Sequence, residues 1–139
     1  MAIQVKLDLD NGVFFFGEPI KELNPSIYEQ EAYKFIFNLI CNQRECENLL
    51  LERRNDDYLS IVIGEYDFLR FKLSDRTKWL SVLIPPILKS KYVDSPLFKE
   101  QKNKNQIQWK SKFNDISELN NYEQVILDSF DFCKSQTSI

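Results

Sequence analysis

Histidine is missing altogether from this 139-residue chain, and its absence removes more chemistry than any other single omission. Without an imidazole there is no Ser-His or Cys-His nucleophile, no histidine general base, and no side chain whose unperturbed charge changes between about pH 5 and 8. Zinc chemistry is weakened too. Cysteine is limited to Cys41, Cys46 and Cys133, and a C-x4-C pair with one distant partner falls short of the four ligands of a closed structural site. An odd count with no recognisable leader reads as reduced thiols. Glycine occurs only at positions 12, 17 and 64, in neither the dinucleotide-binding nor the P-loop spacing, so no phosphate-cradling loop is expected.

Long apolar runs are also lacking. "FIFNLIC" (35–41) and "WLSVLIPPIL" (79–88) are far shorter than the ~20 residues needed to span a bilayer. The opening "MAIQVKLDLDNG" has no basic segment followed by an apolar block, the pattern of a secretory leader. A cytoplasmic protein with no membrane contact is the expectation.

What is present suits a packed core: 43% hydrophobic residues and eleven Phe, with no linker, repeat or low-complexity segment. One domain over 1–139 is expected. Ile3, Val5, Leu7 and Leu9 alternate with polar residues up to Asn11-Gly12, a hairpin signal, before Val13–Phe16. In "NPSIYEQEAYKFIFNLICNQ" the spacing predicts a helix from about 25 to 42, with Asn24 as cap and Pro25 at the first helical position. Its apolar stripe runs through Ile27 or Tyr28, Ala32, Phe35, Ile36, Leu39 and Ile40. From 48 to 84 the period falls to two, and four strands follow one another as an antiparallel meander that Pro85-Pro86 ends. Residues 87–105 read as irregular or briefly helical, and "IQWKSKF" as a further strand. A closing helix then carries Leu119, Tyr122, Val125, Ile126, Phe130 and Cys133 as its apolar stripe, with Ser117 as cap. The expected fold class is α+β: an antiparallel meander of five to seven strands packed against an early and a C-terminal helix.

The strand "NKNQIQWKSKF", an acidic turn and the helix "VILDSFDF" behind a meander resemble the YjbR/MmcQ-like small bacterial domains. The resemblance covers about residues 58–133, with Trp109 and Ser129-Phe130 at matching positions. The histidine that often precedes the tryptophan strand is missing, and the N-terminal hairpin lies outside the pattern. The resemblance implies a compact α+β fold and a DNA-binding role.

The candidate surface comes from turn geometry. If Ser74 pairs with Thr77, then Lys72 faces Trp79 and Arg70 faces Ser81. A three-residue turn Gly64-Glu65-Tyr66 sets Ile61 against Leu69, Ser60 against Arg70 and Tyr58 against Lys72. One sheet face is then apolar. The other is mixed and holds Tyr58, Ser60, Arg70, Lys72, Trp79 and Ser81, with Val62, Phe68 and Leu83 also falling on it and Lys110 and Lys112 extending it. Charge segregates in the same sense: residues 68–112 contain eleven Lys/Arg against three acids, inside a chain of net charge −3. Aromatics among cations on a sheet are the layout of single-strand stacking platforms. The plain alternative is that the N-terminal hairpin covers this face and makes Trp79 a core residue.

Enzyme readings find little to build on. Asp8, Asp10 and Asn11 lack the spacing and closing Glu of a calcium loop. Glu100-Gln101-Lys102 matches half of a nuclease E-x-K pattern without its acidic strand residue, and Asn55-Asp56-Asp57 reads as a turn. The expectation is a non-enzymatic binding module, without cofactor or metal, whose Tyr58, Arg70, Lys72, Trp79, Lys110 and Lys112 meet nucleic acid or another polyanion. The alternative is an inhibitor or immunity-type protein whose acidic surfaces, 1–64 or the last helix, dock on a basic protein.

Overall fold

Alternating hydrophobicity in the middle of the chain becomes an antiparallel sheet, and the helical periods on either side supply its cover. The computed structural model describes residues 2–8, 12–15, 23–44, 49–54, 57–96, 98 and 108–137, with backbone only for 2–15. The strands are β1 (Ala2–Asp8), β2 (Gly12–Phe15), β3 (Leu49–Arg54), β4 (Tyr58–Ile63), β5 (Tyr66–Leu73), β6 (Lys78–Leu83) and β7 (Gln108–Lys112). The helices are α1 (Ile27–Cys41), α2 (Pro86–Tyr92) and α3 (Glu123–Thr137), the last entered through a 3-10 turn over Ile116–Tyr122. The sheet order is β2-β1-β3-β4-β5-β6-β7, with every pair antiparallel. The α+β meander is therefore as expected. No helix among the described residues is long and apolar enough to cross a membrane.

The apolar face carries Leu49, Leu51, Leu59, Ile61, Leu69, Phe71, Leu80 and Val82, all essentially buried. α1 and α3 lie on it, touching each other. Several details differ from the sequence reading. Ser26, not Asn24, caps α1: its hydroxyl accepts from Glu29 N–H while the Glu29 carboxylate accepts from Ser26 N–H. Asn24 instead takes φ +49°, which turns the chain into the helix. The buried stripe of α1 is rotated, with Tyr33 and Phe37 inside and Ile27 out in solvent, because this helix packs against α3 as well as the sheet. Asp115, rather than Ser117, caps the closing segment and pairs with Glu118 in a second capping box. The apolar stripe of α3 is buried as expected. Cys133 is a buried free thiol, which burial pushes up to about 12 and so keeps inert. Cys41 is disulfide-bonded, against the expectation of reduced thiols; α1 ends at it, and Asn42–Arg44 folds back onto the helix's last carbonyls. Cys46, Asp10 and Asn11 of the calcium-like set, the E-x-K segment, and the tip of the first hairpin lie outside the described residues.

Between β4 and β5 the register shifts. The turn has two residues, Gly64-Glu65, with Ile63 paired to Tyr66 and Val62 to Asp67. Phe68 is then an extra residue that restores Ile61 opposite Leu69 and Ser60 opposite Arg70. The pairings of Ile61 with Leu69 and Ser60 with Arg70 inferred from sequence are correct, and the three-residue turn used to reach them is not. The bulge turns Phe68 toward the helices, where its ring meets Phe130 edge-on with centroids 5.8 Å apart. Asp67 comes to the opposite face.

α2 is held to α3 by Asp128, which accepts from Lys91 Nζ at 2.6 Å, from Gln124 Nε2 at 2.9 Å and from the Tyr92 hydroxyl. Burial alone would raise this carboxyl's pKa. The hydrogen bonds from Lys91, Tyr92 and Gln124 outweigh it and hold the pKa below the usual carboxylate range.

Two stability effects are expected. Gly64 has φ +60°, and a Cβ there would lie 2.1 Å from Thr137 Cγ2. Gly64→Val should cost about 2 kcal/mol or more in urea unfolding, and Thr137→Ala in the same chain should recover only the steric part. Asp128→Asn should cost roughly 1–2 kcal/mol near neutral pH. Since the folded pKa is depressed, the clasp's contribution is complete above about pH 4–5 and is lost as pH falls through the folded value. The variant's stability should therefore fall less than the parent's on acidification.

Candidate functional site

Strand alternation puts the residues facing away from the helices into rows that cross the sheet. One row is Glu52, Ser60, Arg70, Ser81 and Lys110; the adjacent row joins Arg54 to Tyr58 and Lys72 to Trp79 and Lys112. All the residues anticipated for the site, Tyr58, Arg70, Lys72, Trp79, Lys110 and Lys112, thus share one face. No helix among the described residues packs on it. The N-terminal hairpin does not cover it either: β1 pairs edge to edge with β3 and lengthens the sheet.

The aromatic and cationic groups are in contact with one another. Lys110 Nζ lies 4.3 Å from the centre of the Trp79 ring system, Trp79 and Tyr58 are 5.8 Å apart at 54°, and the Arg70 guanidinium stands 5.7 Å from the Tyr58 ring. Tyr58 and Trp79 are half-buried, while Lys110 and Lys112 are exposed. Among the described residues no carboxylate is within ion-pairing distance of either lysine. Lys72 donates to Asp57 at 2.6 Å, but both side chains are well exposed, and such a pair contributes only about 0–1 kcal/mol.

The β3–β5 half of the face is different, and the sequence reading missed it. Arg54 Nη2 reaches Asp67 Oδ1 at 2.7 Å and Nη1 reaches Glu52 at 3.1 Å; Arg70 Nη2 lies 3.4 Å from Asp67 Oδ2. The hydrogen bond it donates to Asp67 chiefly holds the Arg54 guanidinium above its ordinary pKa. Gln108 Nε2 donates to the Asp67 carbonyl at 2.7 Å, and Ser81 Oγ donates to Gln108 Oε1 at 2.8 Å. Below this network Ser60 Oγ, Arg54 Nε and Arg70 Nε are buried without hydrogen-bond partners. Val62, though on this face, is 6% exposed, and Phe68 has left it. Glu52 and Arg54 could have been placed from strand parity; Asp67 could not, because parity alone sends it to the helix side.

Beside Lys72 a hollow of ≈ 380 Å³ opens between the start of α1 and the ends of β3 and β5, lined by Leu23, Asn24, Glu29, Arg53, Asp57 and Ser74 among others. Its buried charges are already satisfied. Glu29 accepts from Ser26 N–H and Arg53, with Leu73 N–H at 3.4 Å, and Arg53 also donates to the carbonyls of Leu23 and Asn24. This is a clamp joining helix to sheet, and the sequence signal for it was Ser26-x-x-Glu29. Among the described residues no group of His, Cys, Asp and Glu side chains could hold a metal ion.

No family model, curated protein or solved structure matches the chain. The positions that carry the YjbR/MmcQ-like resemblance, Trp109, Ser129 and Phe130, are buried core residues; they speak to packing rather than to a surface.

The two tryptophans give a direct test of which face is core. Trp109 is 2% exposed and packs edge-on against Phe98. Trp109→Ala should cost about 3–5 kcal/mol, whereas Trp79→Ala should leave a folded domain and cost less than about 2 kcal/mol in the same denaturation experiment.

Proposed function

We propose that the face of the sheet opposite α1 and α3 is a binding platform for single-stranded nucleic acid. The observation that supports this best is the contiguous Lys110, Trp79 and Tyr58 group, flanked by Lys112 and Lys72, on a face that no described helix covers. Every base has a π-face, so Trp79 and Tyr58 would stack bases without reading sequence, at about 1–3 kcal/mol per base. The three lysines would follow the phosphates. Lys110 over the indole would yield one ring face to an incoming base and remain near its phosphate. With a chain pI of about 5.1, the remainder of the surface repels polyanions, so binding should be confined to this patch and strongly salt-dependent.

The competing reading, an acidic surface docking on a basic protein, has less support on the last helix. Asp128 and Asp131 there are already ion-paired, to Lys91 and Arg44 respectively.

The test is titration of an oligothymidylate of about 20 nucleotides at several salt concentrations. Lys110→Ala with Lys112→Ala should flatten the dependence of log affinity on log salt by about 1.4, near 0.7 for each lost phosphate contact. Trp79→Ala should weaken binding by about 1–3 kcal/mol with little change in slope. No salt-dependent binding to the parent chain would remove the proposal and leave the protein-docking alternative.

A further inference from the structure

We infer that Asp67 is an internal substitute for a ligand phosphate, one that neutralises Arg54 and Arg70 and so limits the affinity of the platform. The inference rests on the reading of the sheet face as a polyanion site. Arginine is the side chain best shaped for phosphate, because its planar fork presents paired N–H donors to two oxygens. On this face both arginines turn such donors onto one carboxylate, Arg54 at 2.7 Å and Arg70 at 3.4 Å, one on each oxygen. Asp67 is held in place: its side chain is 13% exposed and its carbonyl is fixed by Gln108. It is there only because of the bulge at Phe68.

Two further features fit an occupied anion subsite rather than an ordinary surface ion pair. Each arginine leaves its Nε buried and without a partner, and the Ser60 hydroxyl directly opposite Arg70 is equally unsatisfied. Asp67, even with Glu52 on Arg54 Nη1 at 3.1 Å, does not use all the donors assembled around it. A phosphate, with more oxygens, could engage more of them. The face is therefore divided: the β6–β7 side offers free lysines and a stacking ring, and the β3–β5 side holds arginines withheld by Asp67. The inferred consequence is weak, readily reversed binding through the lysine side, with the arginine side silent while Asp67 is charged.

The experiment uses the same oligothymidylate and salt series on the full chain. Asp67→Asn should bind about three- to tenfold more tightly, with a salt dependence steeper by about 0.7–1.4, equal to one or two added phosphate contacts. Asp67→Asn with Arg70→Gln should return to within about twofold of the parent, with the parent's slope or at most one contact more from Arg54. A carboxylate needed only for folding would not change the slope upward. If the parent binds, the double lysine variant weakens it, and Asp67→Asn is unchanged or weaker, this inference fails while the platform stands. If neither the parent nor Asp67→Asn binds, both fail. Binding by Asp67→Asn alone would remove the platform reading for the parent chain and overturn the inference that rests on it. Should Asp67→Asn not fold, the charge-neutral double variant decides: parental binding supports the inference, and a flatter slope overturns it by showing that Arg70 already contacts phosphate. Failure of both variants to fold would also overturn it, making Asp67 a structural residue.

Discussion

The two faces of this sheet are kept distinct by one extra residue. Strict alternation along β5 would put Phe68 in solvent and Asp67 against the helices, burying a carboxylate among apolar side chains at a cost of several kcal/mol. The bulge exchanges them. Phe68 becomes part of the core against Phe130, and Asp67 becomes the centre of the polar network. Because Ile61 and Leu69 regain register immediately beyond it, the rest of the meander continues as though the turn were longer. The packing of α3, the partners of both arginines and the position of Gln108 all follow from this shift.

No described helix covers the polar face, and it is not loosely solvated. Ser60, Ser81 and Gln108 on it are nearly as inaccessible as core residues. Arginine and lysine stems can cover apolar ground while their charged ends remain at the boundary. That arrangement gives a firm floor in which the rings of Tyr58 and Trp79 are oriented by their neighbours, so little ordering entropy would remain to be lost on binding.

Much of this was legible in the sequence because period-two patterning is a strong constraint wherever one face is buried. Leu59, Ile61, Leu69, Phe71, Leu80 and Val82 could occupy only one side, and that placed Arg70, Lys72 and Trp79 on the other. Details that depend on competition between local groups were harder to read. Asn24 and Ser26 are both good caps, and the reciprocal bond with Glu29 decided between them. Tyr33 and Phe37 fell outside the predicted stripe because α1 has two packing partners, which one helical face cannot express. Asp67 was invisible for a related reason: a bulge is a tertiary settlement between the turn at Gly64 and the core, and neither segment announces it alone.

β7 is the last strand of the sheet, with β6 as its one neighbour among the described residues. An open edge can recruit a strand from another copy, and long cationic side chains there are a common protection against such pairing. Lys110 and Lys112 occupy that edge and are exposed. The same two side chains therefore guard against self-pairing: neutralisation of this edge, by acetylation for example, would remove the like-charge repulsion between two apposed β7 strands and ease their pairing.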